Sequence, residues 1–163
     1  MNMTELFHQH LLSMQIQKEL KAEISVKGIS MLPTLKTGDI ITIQRQKSYG
    51  VGNIIVFYYQ RTVLVHRIVK KIGNEFCCKG DNAYGCELVS AEKVLGKVIS
   101  VNTEAVCDWP KELTELSLMA GKAFQENNYD IESVKNTSAY QQYRKMLYLY
   151  ERCGRDKDVF ESK

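Results

Sequence analysis

From Ile24 onward the chain alternates short apolar runs with turn formers. "ISVKGIS", "DIITIQRQ", "NIIVFYY", "VLVHRIVKKI", "NEFCCKG" and "KVLGKVISVN" are rich in Val and Ile and are separated by Gly, Asn and Asp. Short β-branched runs bounded by such residues predict strands. Gly-containing corners roughly every 8 to 15 residues predict curled antiparallel sheets rather than α/β crossovers.

The flanks have a different period. Residues 4–20 carry Leu6, Phe7, Leu11, Leu12, Met14, Ile16 and Leu20, many at helical spacing, with Thr4 as N-cap. They predict an amphipathic helix packed on the domain or on a partner. After Trp109-Pro110, "KELTELSLMAGKAFQENN" and "TSAYQQYRKMLYLYERCG" predict two further helices linked near Asn127 to Asn136. The second spaces Tyr140, Tyr143, Leu147 and Tyr150 by three, four and three. That stripe is expected to be buried against the sheet or the first helix, the alternative being a partner-binding face. The expected class is therefore mainly β, α+β overall. A helix takes up residues 1–22, a β-rich domain 23–109 and a C-terminal helical appendage 110–163, with Pro110 at the boundary.

Composition narrows the function. At 163 residues and 44% apolar content the chain can build a real core. Its net charge of +3, from 22 basic and 19 acidic residues without a basic run, gives little support for nucleic-acid binding. A nucleic-acid-binding barrel fits the Val-rich strands but lacks a visible basic face. The five cysteines show no C-x-x-C and no Cys/His cluster, so neither a zinc site nor a thioredoxin-like site is expected, and free thiols in a reducing compartment are. The longest apolar run is "IIVFYY" and the N-terminus lacks a basic region followed by an apolar core. A soluble, cytoplasmic protein without an integral membrane span is the expectation.

The candidate chemistry begins in "GISMLPTLKTGD", Gly28 to Asp39. Gly28 permits an unusual dihedral, and Pro33 fixes its own φ and restricts Leu32. Together they can hold Ser30 on a rigid loop with backbone N–H groups nearby, although most serines in such settings are turn residues. His66, in "RTVLVHRIVKK", is the only histidine outside the N-terminal segment, whose His8 and His10 are expected to face solvent. Strict alternation puts His66 and Leu64 on one face and Val63, Val65 and Arg67 on the other. Downstream, "CCKGDNAYGCE" supplies two carboxylates, Asp81 and Glu87. Either can orient an imidazole, and Asp81 can equally cap its own turn. Asp39 is expected to be a turn cap, and Lys70 and Lys71 are rival bases expected to face solvent. No Walker loop, dinucleotide fingerprint, H-E-x-x-H or G-x-S-x-G elbow is present.

Taken in order, "GISMLPTLKTGDIITI", "VGNIIVFYYQRTVLVHRIVKK", "CCKGDNAYGCE" and "VLGKVISV" resemble the catalytic region of type I signal peptidases. That superfamily also includes the self-cleaving domain of SOS-response repressors. The resemblance covers roughly residues 24–101. It implies a peptidase fold of coiled antiparallel sheets that cleaves a peptide bound in extended form, with Ser30 as nucleophile. Histidine in "HRI" resembles the endoplasmic-reticulum, archaeal and sporulation-type branch, in which His66 is the general base. Lys79-Gly80-Asp81 matches the family's "KGD" turn, and Glu87 falls near the position often assigned as triad acid. Asp81 and Glu87 both stay candidates. No cofactor or metal is implied. The implied partner is a peptide or precursor-protein substrate, with a protein partner or membrane-protein docking through the terminal helices. The alternative function is a catalytically inactive or partner-dependent peptide-binding module on the same fold.

Overall fold

A computed structural model describes residue 12 and residues 21–107 and 109–155. The predicted helix over residues 4–20, including His8 and His10, lies outside the described residues apart from Leu12, which packs half-buried on the sheet. Eight strands follow: β1 (Lys21–Ser25), β2 (Ile40–Gln44), β3 (Ile54–Tyr59), β4 (Thr62–Ile72), β5 (Glu75–Lys79), β6 (Glu87–Ser90), β7 (Val94–Val101) and β8 (Glu104–Ala105). A short 3-10 turn, Ala91–Lys93, joins β6 to β7. Three helices close the described chain: α1 (Lys111–Glu126), α2 (Ile131–Lys135) and α3 (Ser138–Arg155).

All strand pairs are antiparallel, in the order β1-β2-β7-β3-β4-β5-β6, with β8 beside β7. Register shifts at Thr42/Ile43, Val56/Phe57 and Ile68/Lys70 interrupt the ladders, and bulges of this kind bend a sheet. The result is a curled antiparallel half-barrel with flanking helices, a mixed α and β fold. Both faces are apolar in the middle. Ile41, Ile43, Ile54, Val56 and Val98 form one cluster, and Ile55, Phe57, Ile68, Phe76 and Cys78 form the other. Burial on two sides explains why β3 reads as the unbroken run "IIVFYY" rather than an alternation.

The β3–β4 hairpin turns at Gln60 and Arg61, both at positive φ, with Tyr59 opposite Thr62, the backbone of a two-residue hairpin loop. The helices have their own core of Leu113, Ala120, Tyr143 and Leu147, with Trp109, Leu116, Tyr140 and Tyr150 against it. The tyrosine stripe of α3 is thus turned inward, as its spacing predicts. The predicted link between the two long helices contains α2, started by Asp130, whose carboxylate accepts the Ser133 N–H at 2.8 Å. Among the described residues no helix is long and apolar enough to cross a membrane.

Candidate active site

Ser30 lies in the loop between β1 and β2. Gly28 enters that loop at φ +82°, a conformation that favours glycine. The Thr37 hydroxyl donates to the Gly28 carbonyl at 2.6 Å, and the Leu35 N–H donates to the Met31 carbonyl at 2.9 Å. Asp39 closes the loop by accepting the Lys36 N–H at 2.7 Å, which is the turn-capping role expected of it. Leu35 and Met31 are buried in the sheet core, so Ile29, exposed beside Ser30, is the apolar side chain offered to solvent here.

Strand β4 brings His66 and Arg67 to the same level with opposite orientations. His66 stands opposite Ile55 and edge-on to Phe57 at 6.2 Å, on the Leu64 side. Its Nε2 lies 3.0 Å from Ser30 Oγ, and its Nδ1 lies 2.8 Å from Glu87 Oε2. An ionised carboxylate only accepts, so Nδ1 carries the proton and Nε2 is left to accept the Ser30 hydroxyl. Glu87 reaches this point through register: Ile68, Cys78 and Glu87 stand opposite one another across β4, β5 and β6 and so share the His66 face.

Arg67 points the other way, into the pair it forms with Asp81. Its Nε donates to Asp81 Oδ1 at 2.9 Å and its Nη2 to Oδ2 at 2.8 Å, a bidentate pair in which each side chain is 2% exposed. The Thr34 hydroxyl adds a 2.6 Å bond to Oδ2, and Arg67 Nη1 donates to the Gly52 carbonyl at 2.8 Å. The guanidinium is stacked 3.4 Å above the Trp109 ring. Of the two carboxylates that sequence leaves open, the structure puts Glu87 on the imidazole and both oxygens of Asp81 on Arg67. Ser30, His66 and Glu87 are brought together; Asp81 stands behind them.

Gly80 is what lets these parts close up. A Cβ there would stand 2.5 Å from the Ser30 carbonyl oxygen and 3.1 Å from His66 Nε2, so the turn admits only a hydrogen at that point. Lys70 and Lys71 are exposed, as expected of them, while Lys79 is buried, 1% exposed. Its ammonium lies 4.5 Å from the Tyr143 ring centre and donates to the Gly80 carbonyl at 3.4 Å. Burial pulls it down to about 8 despite the Asp81 charge. Burial likewise pushes the Tyr143 hydroxyl above the ordinary phenol range. The roles of Arg67, Thr34 and Lys79 have no local sequence signature; the "KGD" turn was the nearest signal. A cavity of about 340 Å³ opens beside Pro33, Thr34, Arg67 and Tyr150, and its lining includes none of Ser30, His66 and Glu87.

A family model described as Peptidase S24-like matches residues 9–99, more than half of the 163 residues. The chain belongs to the Peptidase S24-like family. The match contains Ser30, His66, Asp81 and Glu87 and ends before α1, so the three helices stand outside the Peptidase S24-like region. No curated protein matches the chain.

Proposed function

We propose that the chain is a serine endopeptidase that cleaves an extended segment of a precursor protein or peptide through an acyl-enzyme. The observation that carries this reading is the hydrogen-bonded series Ser30 Oγ, His66 and Glu87, at 3.0 and 2.8 Å. His66 takes the Ser30 proton as Oγ attacks the scissile carbonyl, and Glu87 stabilises the imidazolium that forms. The same proton is returned to the leaving amine, and water, deprotonated by His66, then releases the acyl group. Backbone N–H groups at Ser30 and Met31 receive the oxyanion. Histidine as the base aligns the chain with the histidine-using signal-peptidase branch rather than the lysine-using one. Unpaired thiols at Cys77, Cys78, Cys86 and Cys107 support a reducing, cytoplasmic setting.

A peptide-library digest read by mass spectrometry tests this. Products are expected with the wild type and absent with Ser30→Ala. Glu87→Gln keeps the shape but cannot balance the imidazolium, and its rate is expected to fall by about 10³- to 10⁴-fold. Cleavage that survives Ser30→Ala overturns the assignment. Binding of library peptides without any Ser30-dependent product makes the chain a peptide-binding module instead.

A further inference from the structure

We infer that Arg144, on α3, is a positioning residue for Ser30, acting through the side chain of Asn82. The helical unit outside the family match is then part of the working site. The inference rests on the reading of Ser30 as nucleophile.

Asn82 holds both peptide units that flank Ser30. Its backbone N–H donates to the Ser30 carbonyl at 2.8 Å, and its Nδ2 donates to the Ile29 carbonyl at 3.1 Å. In a planar trans peptide the C=O and the following N–H point in opposite directions. Fixing the Ile29 carbonyl therefore aims the Ser30 N–H, and fixing the Ser30 carbonyl aims the Met31 N–H. Neither amide has a backbone acceptor among the described residues, and these are the two donors assigned to the oxyanion.

A primary amide can turn over and exchange its oxygen for its nitrogen, which would set a lone pair against the Ile29 carbonyl. Arg144 forbids this. Its Nη1 lies 3.0 Å from Asn82 Oδ1, and a guanidinium only donates, so the oxygen must face Arg144 and the NH₂ must face Ile29. The neighbouring residue of the same helix completes the grip, because the Tyr143 hydroxyl donates to the Asp81 carbonyl at 2.8 Å. Two consecutive residues of α3 thus hold two consecutive residues of the turn that orients the Ser30 loop.

The test uses the full chain and two readouts. One is amide hydrogen exchange over Gly28–Leu35. The other is the rate at which a fluorophosphonate phosphonylates Ser30 with loss of fluoride, the charge that develops on its phosphoryl oxygen needing the same amides; Ser30→Ala is the control. Arg144→Ala is expected to speed exchange in the loop while α1 and the inner face of α3 stay protected. Labelling is expected to slow about tenfold or more, with the pH midpoint of labelling unmoved because His66 and Glu87 are untouched. Arg144→Lys keeps a cationic donor and restores most of the rate. Asn82→Asp still accepts from Arg144 but offers Ile29 no N–H, and it reproduces the loss even if Arg144→Ala does not fold. Unchanged loop exchange in Arg144→Ala and Asn82→Asp overturns the inference, and so does a loss spread over the helices without rescue by lysine. A wild type that does not label at all overturns the nucleophile reading instead, and the exchange readout alone then decides the role of Arg144.

Discussion

His66 and Arg67 are consecutive residues of β4, and the pleat sends them to opposite faces, each to its own carboxylate. The two carboxylates consequently answer different experiments. Glu87 is partly exposed and neutralising it removes charge from the imidazole, whereas Asp81 is the buried counter-ion of Arg67, joined to it at 2.8 Å. Asp81→Asn leaves a buried guanidinium uncompensated and is expected to cost about 3–5 kcal/mol of stability, read as a lower urea midpoint with unchanged slope. A loss of activity at full stability would place Asp81 in the chemistry. Lys79 gives a prediction in pH. The folded protein binds its proton less tightly than the unfolded chain, about 8 against 10.5, because burial disfavours the charged form. The penalty is complete below about pH 8 and fades as pH rises toward 10.5, so this residue makes stability increase with pH across that window. It amounts to about 3 kcal/mol at neutral pH. Lys79→Met is therefore expected to be the more stable protein at pH 7, and its advantage to shrink by pH 10 in chemical denaturation at both values. An advantage independent of pH would mean that Lys79 titrates normally.

At the scale of elements, what the sequence made legible depended on how far each signal reaches. The runs "DIITIQRQ", "NIIVFYY" and "VLVHRIVKKI" became β2, β3 and β4, and both long helices formed where their period and Pro110 set them. β6 is not foreseen, because "ELVS" is four residues with one buried side chain and carries no alternation to read. β8 is missed for a related reason: its turn uses Asn102 and Thr103 at positive φ rather than a glycine. The choice between Asp81 and Glu87 turns on the same element. Glu87 reaches His66 only because it stands opposite Cys78, and Cys78 opposite Ile68, next to a register shift at Ile68/Lys70. A slip of one residue would move the carboxylate to the other face. Local sequence does not encode that register, which is set by the bulge and by packing on both sides of the sheet. Ser30 and His66, by contrast, lie beside local constraints, a Gly–Pro loop and an alternating strand, and were visible for that reason.

For the whole molecule, the boundary at Pro110 is the open question, because buried contacts cross it. Tyr143 donates to the Asp81 carbonyl at 2.8 Å, Lys79 lies under the Tyr143 ring, and Tyr150 stands edge-on to Trp109 at 5.4 Å. The face of β4 and β5 behind His66 is thereby roofed by the helical unit, whose own core contains Leu113 and Leu147. If residues 110–163 were a separable appendage, a chain ending at Trp109 would melt cooperatively at the temperature of the full protein. The crossing contacts argue otherwise. Losing the Tyr143 bond alone forfeits about 1 kcal/mol, and uncovering the back of the sheet adds to it. The truncated chain is expected to melt lower by about 5 °C or more. It is also expected to bind a hydrophobic dye that the full chain excludes, since Tyr84 loses its ring contacts with Phe124 and Tyr140, and Trp109 its contact with Tyr150. Its circular dichroism should keep the strand signal, because the eight-stranded ladder lies entirely before residue 110. Coincident melting of the two chains without dye binding would show instead that the sheet holds its own site and that the helices serve something else.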